Sequence, residues 1–212
     1  MIRSSEVEIM DGDGLADDLI ERTHRQLNWV NGFIGNTAAI LRALRSDPLP
    51  VKRVLDIGCG HGGLLLEIRR KLNLEVVGVD LKPPSGAAVE IVRADATCDP
   101  LPPADVAIST LVGHHLSEAE LVAMIQNVGR SCRRFVLLDL VRSVTPLVLF
   151  RVFLTPFLSH VNAADGMTSI RRAYTSDEMA ELTRGALEGT DATFRHSVTP
   201  LRSRQVVDIR YR

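Results

Sequence analysis

From position 51 onward, short apolar runs alternate with segments whose apolar residues recur at helical spacing. The apolar runs predict strands at 51–57, 74–79, 89–93, 105–109 and 134–138. Strands that alternate with helices in this way are typical of a parallel sheet. Two later runs, 191–198 and 205–211, predict an antiparallel hairpin at the sheet edge. We therefore expect an α/β fold with a doubly wound, mostly parallel, seven-stranded sheet.

Helical spacing is found before the first strand and between later strands. Residues 15–31 and 36–45 predict two helices, which we interpret as an N-terminal helical lid (1–47) on a domain at 48–212. A helix is predicted over 62–71. Ser117 has the position of an N-cap for a helix that ends near 128, and Thr175 with Glu178 forms a capping-box pattern.

The connection between the second and third strands is unusually short. Parallel neighbours usually need a crossover of a dozen or more residues, but only 81–88 are available, and they include Pro83 and Pro84. We expect a loop here in place of a helix.

The longest apolar stretch runs from 144 to 158 and is interrupted by Pro146, Arg151 and Pro156. It is too short to span a bilayer. We interpret it as part of an apolar insert, 143–173, that forms a buried helix pair or a cap over a pocket. Peripheral membrane contact is the alternative.

Composition narrows the classes of partner. The chain has 212 residues, a formal net charge of −1 and 4% aromatic residues, which gives no electrostatic footprint for nucleic acid. Arg130, Arg133 and Arg134 are expected to form a solvated helix end. The mixed, charged start at 1–10 does not resemble a signal peptide. The three cysteines lack metal or disulfide spacing, which favours the cytoplasm; the oligomeric state is left open.

Residues 56–63 read DIGCGHGG and join the first strand to the first helix. Glycines at 58, 60 and 62 permit a tight turn against bare backbone, and a strand, a glycine-rich turn and a helix N-terminus together form a nucleotide-cofactor site. Gly58, Gly60 and Gly63 also satisfy the dinucleotide pattern, so an oxidoreductase is the runner-up. The Asp56 carboxylate favours a ligand that carries an ammonium and a sulfonium.

Polar residues follow the carboxyl ends of the other strands, where open parallel sheets bind ligands. Asp80 ends the second strand and is placed to accept hydrogen bonds from both hydroxyls of a ribose. Asp95 follows the third strand, and Ser109 and Thr110 end the fourth.

The run Asp56-x-Gly58-x-Gly60-x-Gly62, with Asp80 and Arg93-Ala94-Asp95-Ala96, resembles the class I S-adenosylmethionine-dependent methyltransferases over 51–139. The resemblance implies a Rossmann-like methyltransferase fold and S-adenosyl-L-methionine as cofactor. It implies that Asp95 meets the adenine amino group, that Ala96 offers a backbone amide and that Leu81 packs on the ring. The implied cofactor residues are Asp56, Gly58, Cys59, Gly60, Gly62, Asp80, Leu81, Asp95, Ala96, Ser109 and Thr110.

Residues 110–116, TLVGHHL, look like the small-molecule branch related to the quinone-biosynthesis methyltransferases. Two features depart from the family pattern: the short crossover after Asp80, and 127–132, which lacks the usual Pro-Gly-Gly turn. These departures affect the assignment to a branch of the family more than the expected methyltransferase activity.

The resemblance implies methyl transfer to a small, largely apolar acceptor. Oxygen is the preferred acceptor atom; carbon and nitrogen stay open. Such transfer depends mainly on holding the acceptor atom and the methyl group in line in a pocket that excludes water. A hydroxyl acceptor must also lose its proton, and a histidine is a suitable base for this step. His115 is the candidate base because it matches a recurrent histidine of the family; His114 is the second candidate. A packing or capping role is the alternative for both.

Further residues are candidates for the acceptor site. His24, Trp29 and Asn31 belong to the predicted lid, while Arg142, Arg171, Arg172 and Tyr174 flank the insert and suit an acidic acceptor. A core or solvated role is the alternative for all of them. No metal is expected at Asp139, because Ser109 stands where an acidic partner would be needed. An inactive, cofactor-binding partner protein is a third reading of the chain.

Overall fold

A computed structural model describes residues 1–12, Thr23, Gln26, Val30, Gly32 and 34–212. Its central feature is a seven-stranded sheet with the order β3-β2-β1-β4-β5-β7-β6. The strands are β1 (Arg53–Ile57), β2 (Glu75–Asp80), β3 (Ile91–Arg93), β4 (Ala104–Thr110), β5 (Cys132–Leu140), β6 (Thr193–Val198) and β7 (Arg204–Arg210). The predicted α/β fold with a mostly parallel seven-stranded sheet is confirmed.

The strand order reverses at β1, which pairs in parallel with both β2 and β4. This reversal is the switch point at which open α/β sheets bind ligands. β5 extends the parallel part, and β7 and β6 follow as the predicted antiparallel hairpin, with β6 at the edge.

Helices cover both faces of the sheet. They are α1 (Asn36–Arg45), α2 (Gly63–Leu72), α3 (Glu118–Val128), α4 (Val144–Leu149), α5 (His160–Arg172) and α6 (Ser176–Ala186). Alternate side chains of β1 point to opposite faces: Val54 joins the apolar cluster under α1 and α2, while Leu55 joins the cluster under α3 and α6.

The helix α1 was assigned to the lid from the sequence. In the structure its buried side chains, Ile40, Leu41 and Leu44, belong to the core cluster on one sheet face. This helix is therefore part of the core packing. The other predicted lid helix, 15–31, falls almost entirely outside the described residues.

Local signals placed the helix boundaries well. The side chain of Ser117 accepts the N–H of Glu120 and that of Thr175 accepts the N–H of Glu178, and both pairs are complete capping boxes. The segment between β2 and β3 has no helix, as predicted, and β3 starts at Ile91, two residues later than expected.

The apolar insert is only partly buried. After α4 come a π-helical turn (Phe150–Leu154), a 3-10 turn (Thr155–Phe157) and then α5. Five of its large apolar side chains are more than half exposed: Val144, Val148, Val152, Phe153 and Phe157. The expectation of a buried pair is therefore wrong for the first half of the insert. No helix among the described residues is long and apolar enough to cross a membrane.

Arg134 corrects another expectation. It lies on β5, not at a solvated helix end, and is 1% exposed. Its guanidinium donates to both carboxylate oxygens of Asp208 at 2.8 and 2.7 Å, to Asp47 at 3.0 Å and to the Ala43 carbonyl at 2.9 Å. These acceptors compensate its burial.

Residues 1–12, here called the N-terminal strap, cross the carboxyl edge of the sheet beside α5. The Arg3 guanidinium donates to the carbonyls of Arg172 and Leu116, each at 2.6 Å, and stacks 3.9 Å from the centre of the Tyr174 ring. The N–H groups of Ile9 and Met10 donate to the Asp165 carboxylate at 2.7 and 3.0 Å. The strap is thus fixed to the turn that follows β4.

Candidate active site

The glycine-rich loop after β1 has a backbone shape that favours glycine. Gly58, Gly60 and Gly62 have φ values of 69°, 52° and 73°. A Cβ on Gly58 would lie 2.4 Å from Cγ2 of Val112, whereas a Cβ on Gly60 would meet no atom of the described residues within 4 Å. The loop therefore packs on Val112 at one glycine and leaves open space at the next.

Asp80 connects the end of β2 to this loop. Its carboxylate accepts the N–H of Gly60 at 2.8 Å and the N–H of Lys82 at 2.9 Å. These bonds fix an anionic side chain beside the open space at Gly60.

Asp56 lies beneath the loop and is 3% exposed. Burial, with a smaller contribution from the charge of Asp80, raises the pKa of Asp56 to about 8. Two carboxyl groups close together in a buried site favour a cationic ligand, because such a ligand stabilises their ionised forms.

At the end of β4, the two hydroxyls differ. Ser109 donates to the Ile57 carbonyl at 3.2 Å and so ties β4 to β1. The Thr110 hydroxyl is buried and has no hydrogen-bond partner among the described residues. A buried polar group without a partner is costly in an empty site, so Thr110 is suited to contact a ligand at this edge.

The remaining predicted cofactor residues surround the same edge. The Asp95 carboxylate accepts the N–H and the hydroxyl of Thr97 at 2.8 and 2.7 Å, and these bonds lower the pKa of Asp95. Ala96 is half-buried and Leu81 is 59% exposed. The Cys59 side chain packs on Gly78, and burial raises its thiol pKa to about 12, so the thiol stays protonated.

A second group of titratable side chains follows β4, in the turn Gly113–His115. His114 is buried, and its Nδ1 lies 2.7 Å from the Asp139 carboxylate at the end of β5. Asp139 also accepts the backbone N–H of His114 at 2.8 Å and of Leu140 at 2.7 Å. Burial alone would lower the pKa of His114, but the Asp139 and Glu8 carboxylates outweigh it and raise the pKa to about 9.

Glu8 of the N-terminal strap completes this group. Its carboxylate oxygen lies 3.6 Å from Nε2 of His114 and 3.8 Å from Nε2 of His115, and it accepts the Ser169 hydroxyl at 2.7 Å. Burial favours the neutral acid, but the two imidazoles and Ser169 hold the pKa of Glu8 below its usual value. Glu8 was not among the predicted site residues, because it belongs to no recognisable sequence motif.

His115 is the more accessible of the two histidines. Its side chain is 30% exposed, and its ring centre lies 4.2 Å from that of His114. Val112, which packs on Gly58, is two residues before His114. The turn Gly113–His115, here called the histidine turn, is therefore adjacent to the glycine-rich loop.

The other predicted acceptor residues have different surroundings. Arg142 is buried and donates to the carbonyls of Met1 and Ala173 and to Glu178, while Tyr174 is 1% exposed and donates to the Leu116 carbonyl at 2.8 Å. These contacts anchor the strap and the helix α6, so the two side chains hold the fold together and do not grip an acceptor. Arg171 is half-buried, and its carbonyl accepts the N–H of Ser4 at 3.1 Å. His24, Trp29 and Asn31 lie outside the described residues.

Comparison with known proteins finds a family match within the chain. Residues 54–134, which include the glycine-rich loop, Asp80 and Asp95, match the family model described as a methyltransferase domain. This part of the chain is therefore a methyltransferase domain. No curated protein matches this chain.

Solved structures share the fold of the methyltransferase. The plantazolicin methyltransferase BamL, in complex with a triazolic desmethylPZN analog and SAH, has a TM-score of 0.71 at 13% identity, over 91% of this chain and 90% of that chain. The methyltransferase domain of bacterial CtHen1-C has a TM-score of 0.60 at 16% identity, over 83% and 96%. The methyltransferase SibL in its apo form has a TM-score of 0.62 at 15% identity, over 92% and 60%.

The cofactor implied by the family is S-adenosylmethionine, and the residues present fit it. Open space at Gly60 lies beside a fixed carboxylate at Asp80, which suits ribose hydroxyls. The buried Asp56 suits the cationic part of the cofactor, and the unpartnered Thr110 hydroxyl offers a further contact.

Proposed function

We propose that this methyltransferase transfers the methyl group of S-adenosylmethionine to a hydroxyl oxygen of a small, largely apolar acceptor. The observation that carries this proposal is the pairing of the glycine-rich loop with the histidine turn through the contact of Gly58 with Val112. This contact supports a proton acceptor next to the glycine-rich loop.

The cofactor supplies a methyl group on a cationic sulfur, which leaves as a neutral thioether. In our proposal Asp80 holds the ribose, Asp95 and Ala96 hold the adenine, and Asp56 and Thr110 contact the amino-acid part. The chain mainly contributes orientation and the exclusion of water.

We propose that His115 takes the hydroxyl proton. His114 is less suited, because its Nδ1 is bonded to Asp139 and its raised pKa keeps it protonated at neutral pH. His115 is partly exposed, and its Nε2 lies 3.8 Å from the Glu8 carboxylate.

The acceptor is proposed to lie between the N-terminal strap, the histidine turn and the insert (143–173). Support comes from the packing of α5 beside the turn and from the apolar character of the insert. The balanced net charge of −1 argues against nucleic acid. A small RNA methyltransferase, HEN1, and the plantazolicin methyltransferases share the fold, so RNA and peptides belong among the tested acceptors.

The test has two stages. Isothermal titration of the purified protein with S-adenosylhomocysteine is expected to show one site per chain. Labelled S-adenosylmethionine is then offered with panels of small phenols and alcohols, amines, activated carbon acceptors, peptides and RNA, and label is expected in the hydroxyl compounds. His115→Ala is expected to lower the rate about 100-fold or more, while Arg130→Ala, at an exposed position after α3 and outside the insert, leaves it unchanged.

Each failure has its own reading. Label only in amines, in carbon acceptors, in peptides or in RNA overturns the proposed acceptor. Binding without transfer to any acceptor, including those in cell extract, supports an inactive cofactor-binding partner protein. Binding of NAD in place of S-adenosylhomocysteine overturns the whole proposal.

We also propose a cytoplasmic location, supported by three cysteines that form no disulfide.

A further inference from the structure

Glu8, His114 and His115 form a group with the chemistry and spacing of a metal site. One possible ligand atom from each residue lies within 4.8 Å of the other two. A point between three atoms this close lies less than ~3 Å from each of them. The distance from zinc to a nitrogen or oxygen ligand is about 2.0–2.2 Å. Small side-chain rotations are therefore enough to complete the coordination.

The surrounding residues orient two of these ligands. Asp139 accepts from Nδ1 of His114, which leaves Nε2 directed toward Glu8. A carboxylate bonded to the second nitrogen of a ligating histidine is the usual outer shell of a metal site. The Ser169 hydroxyl, 2.7 Å from Glu8, fixes the carboxylate in the same way.

Asp139 is itself held in place. It accepts two backbone N–H groups, and a Cβ on Gly113 would lie only 2.7 Å from its Oδ2. The turn therefore needs glycine at position 113, so that the carboxylate can approach the backbone of His114 closely.

The ligand set also indicates which metal it prefers. Two imidazoles and one carboxylate suit zinc and its divalent transition-metal neighbours better than Mg²⁺ or Ca²⁺, which prefer oxygen ligands. Three protein ligands leave a fourth position open, as in catalytic zinc sites. His115, whose side chain is 30% exposed, is the ligand of the three that a molecule from solvent can reach most easily.

We propose that Glu8, His114 and His115 bind a divalent transition-metal ion of the zinc type, which displaces the proton from Nε2 of His114 as it binds. This site differs from the one that the sequence analysis excluded, because Asp139 is here the partner of a ligand. The binding itself is independent of the proposed function. Its role in that function is to bind the acceptor oxygen at the open position. There the metal would lower the pKa of the acceptor hydroxyl, so that its proton is released to water and His115 serves as a ligand in place of a base.

The competing explanation is a purely electrostatic group, in which a protonated His114 lies between two carboxylates without any metal. Both explanations account for the distances in the structure. They differ in whether a metal binds stoichiometrically and whether the binding depends on Glu8.

The experiment uses the full-length protein after chelator treatment. Titration with zinc sulfate is expected to show one equivalent bound per chain, and cobalt(II) is expected to give the visible absorption of a low-coordinate nitrogen–oxygen site. Glu8→Gln and His115→Ala are each expected to weaken binding about 10-fold or more, and Asp139→Asn by about 10- to 100-fold. The matched controls are Glu6→Gln on the same strap and His160→Ala, both at exposed positions.

Circular dichroism and S-adenosylhomocysteine titration on every variant separate loss of metal from loss of folding or of the cofactor site. Absence of stoichiometric zinc binding, or equal binding by wild type and Glu8→Gln, would falsify the proposal. Metal binding together with failure of all hydroxyl acceptors would leave the site established and overturn only its role in methyl transfer.

Discussion

The Asp80 carboxylate accepts the backbone N–H of Gly60 at 2.8 Å across twenty residues of sequence. This bond joins the carboxyl ends of β1 and β2 at the switch point of the sheet. It places a negative charge beside the part of the loop where a Cβ would meet open space. The pair therefore holds the glycine-rich loop against the end of β2.

Replacing Asp80 tests this relationship. Asp80→Ala removes both the bond to Gly60 and the proposed ribose acceptor, and it is expected to weaken S-adenosylhomocysteine binding about 10- to 100-fold, since a hydrogen bond to a charged group contributes roughly 1.5–3 kcal/mol. Isothermal titration measures the change. Glu75→Ala, at the opposite end of β2 and exposed, is the control and should bind like wild type. Unchanged affinity in Asp80→Ala would contradict the proposed cofactor site.

Gly58→Ala tests the contact between the loop and the histidine turn. The new Cβ requires an unfavourable φ and lies 2.4 Å from Val112, so the loss in free energy of unfolding is expected to be roughly 2–5 kcal/mol in urea titrations. Gly86→Ala has φ 74° without any described atom within 4 Å of the Cβ, and it isolates the backbone cost, about 1–2 kcal/mol.

The double variant Gly58→Ala/Val112→Ala is expected to recover the part of the loss that comes from the clash. If Gly58→Ala costs no more than Gly86→Ala, the loop does not pack on Val112 as described.

Asp56→Asn tests the buried carboxyl through pH. The pKa of Asp56 is raised to about 8 in the folded protein, against about 3.9 in the unfolded chain. The native state therefore binds more protons between these pH values, and wild-type stability falls as pH rises through this interval. Because asparagine does not titrate, the Tm of Asp56→Asn minus that of wild type should rise from pH 5 to about pH 9.

Thermal unfolding at a series of pH values measures this difference in the absence of cofactor. Asp191→Asn, at an exposed position, is the control for general pH effects. A Tm difference that stays constant or falls with pH would show that Asp56 is ionised at neutral pH.

Arg134→Ala tests the buried ion-pair network on β5. The variant leaves the Asp208 carboxylate without its guanidinium partner and removes one of the partners of the buried Asp47, which keeps Arg133 at 3.1 Å. Removal of one member of a buried pair costs about 3–5 kcal/mol. Urea unfolding measures the loss. Arg130→Ala, at an exposed position, is expected to stay within about 0.5 kcal/mol of wild type. A loss in Arg134→Ala as small as that of Arg130→Ala would contradict the buried network.

Much of the fold could be predicted because its signals are local. The capping boxes at Ser117 and Thr175 need only residues three positions apart, and both are present in the structure. The glycine-rich loop depends on backbone φ values that few residues other than glycine adopt. The loop after Asp80 was predicted because too few residues separate the two strands for a helical crossover.

The wrong predictions concern features that depend on contacts between residues far apart in the sequence. Arg134 resembled a surface arginine because its partners, Asp47 and Asp208, are far away in the sequence. The helix α1 was predicted to belong to a lid because it precedes β1 in the sequence. This position does not indicate which surface the helix covers, and the structure places it on the sheet core. The insert was predicted to form a buried helix pair or a cap over a pocket, and its apolar composition did not show that many side chains of its first half face outward.

The sequence alone determined the parallel sheet, the cofactor loop and the carboxylates at the strand ends, because alternation, glycine spacing and strand termini are properties of neighbouring residues. Only the tertiary structure brought Glu8 of the N-terminal strap to His114 and His115 and placed Asp139 behind them. The physical reason is that this arrangement depends on the path of the strap across the sheet edge, which is set by hydrogen bonds from Arg3, Ile9 and Met10 to remote residues.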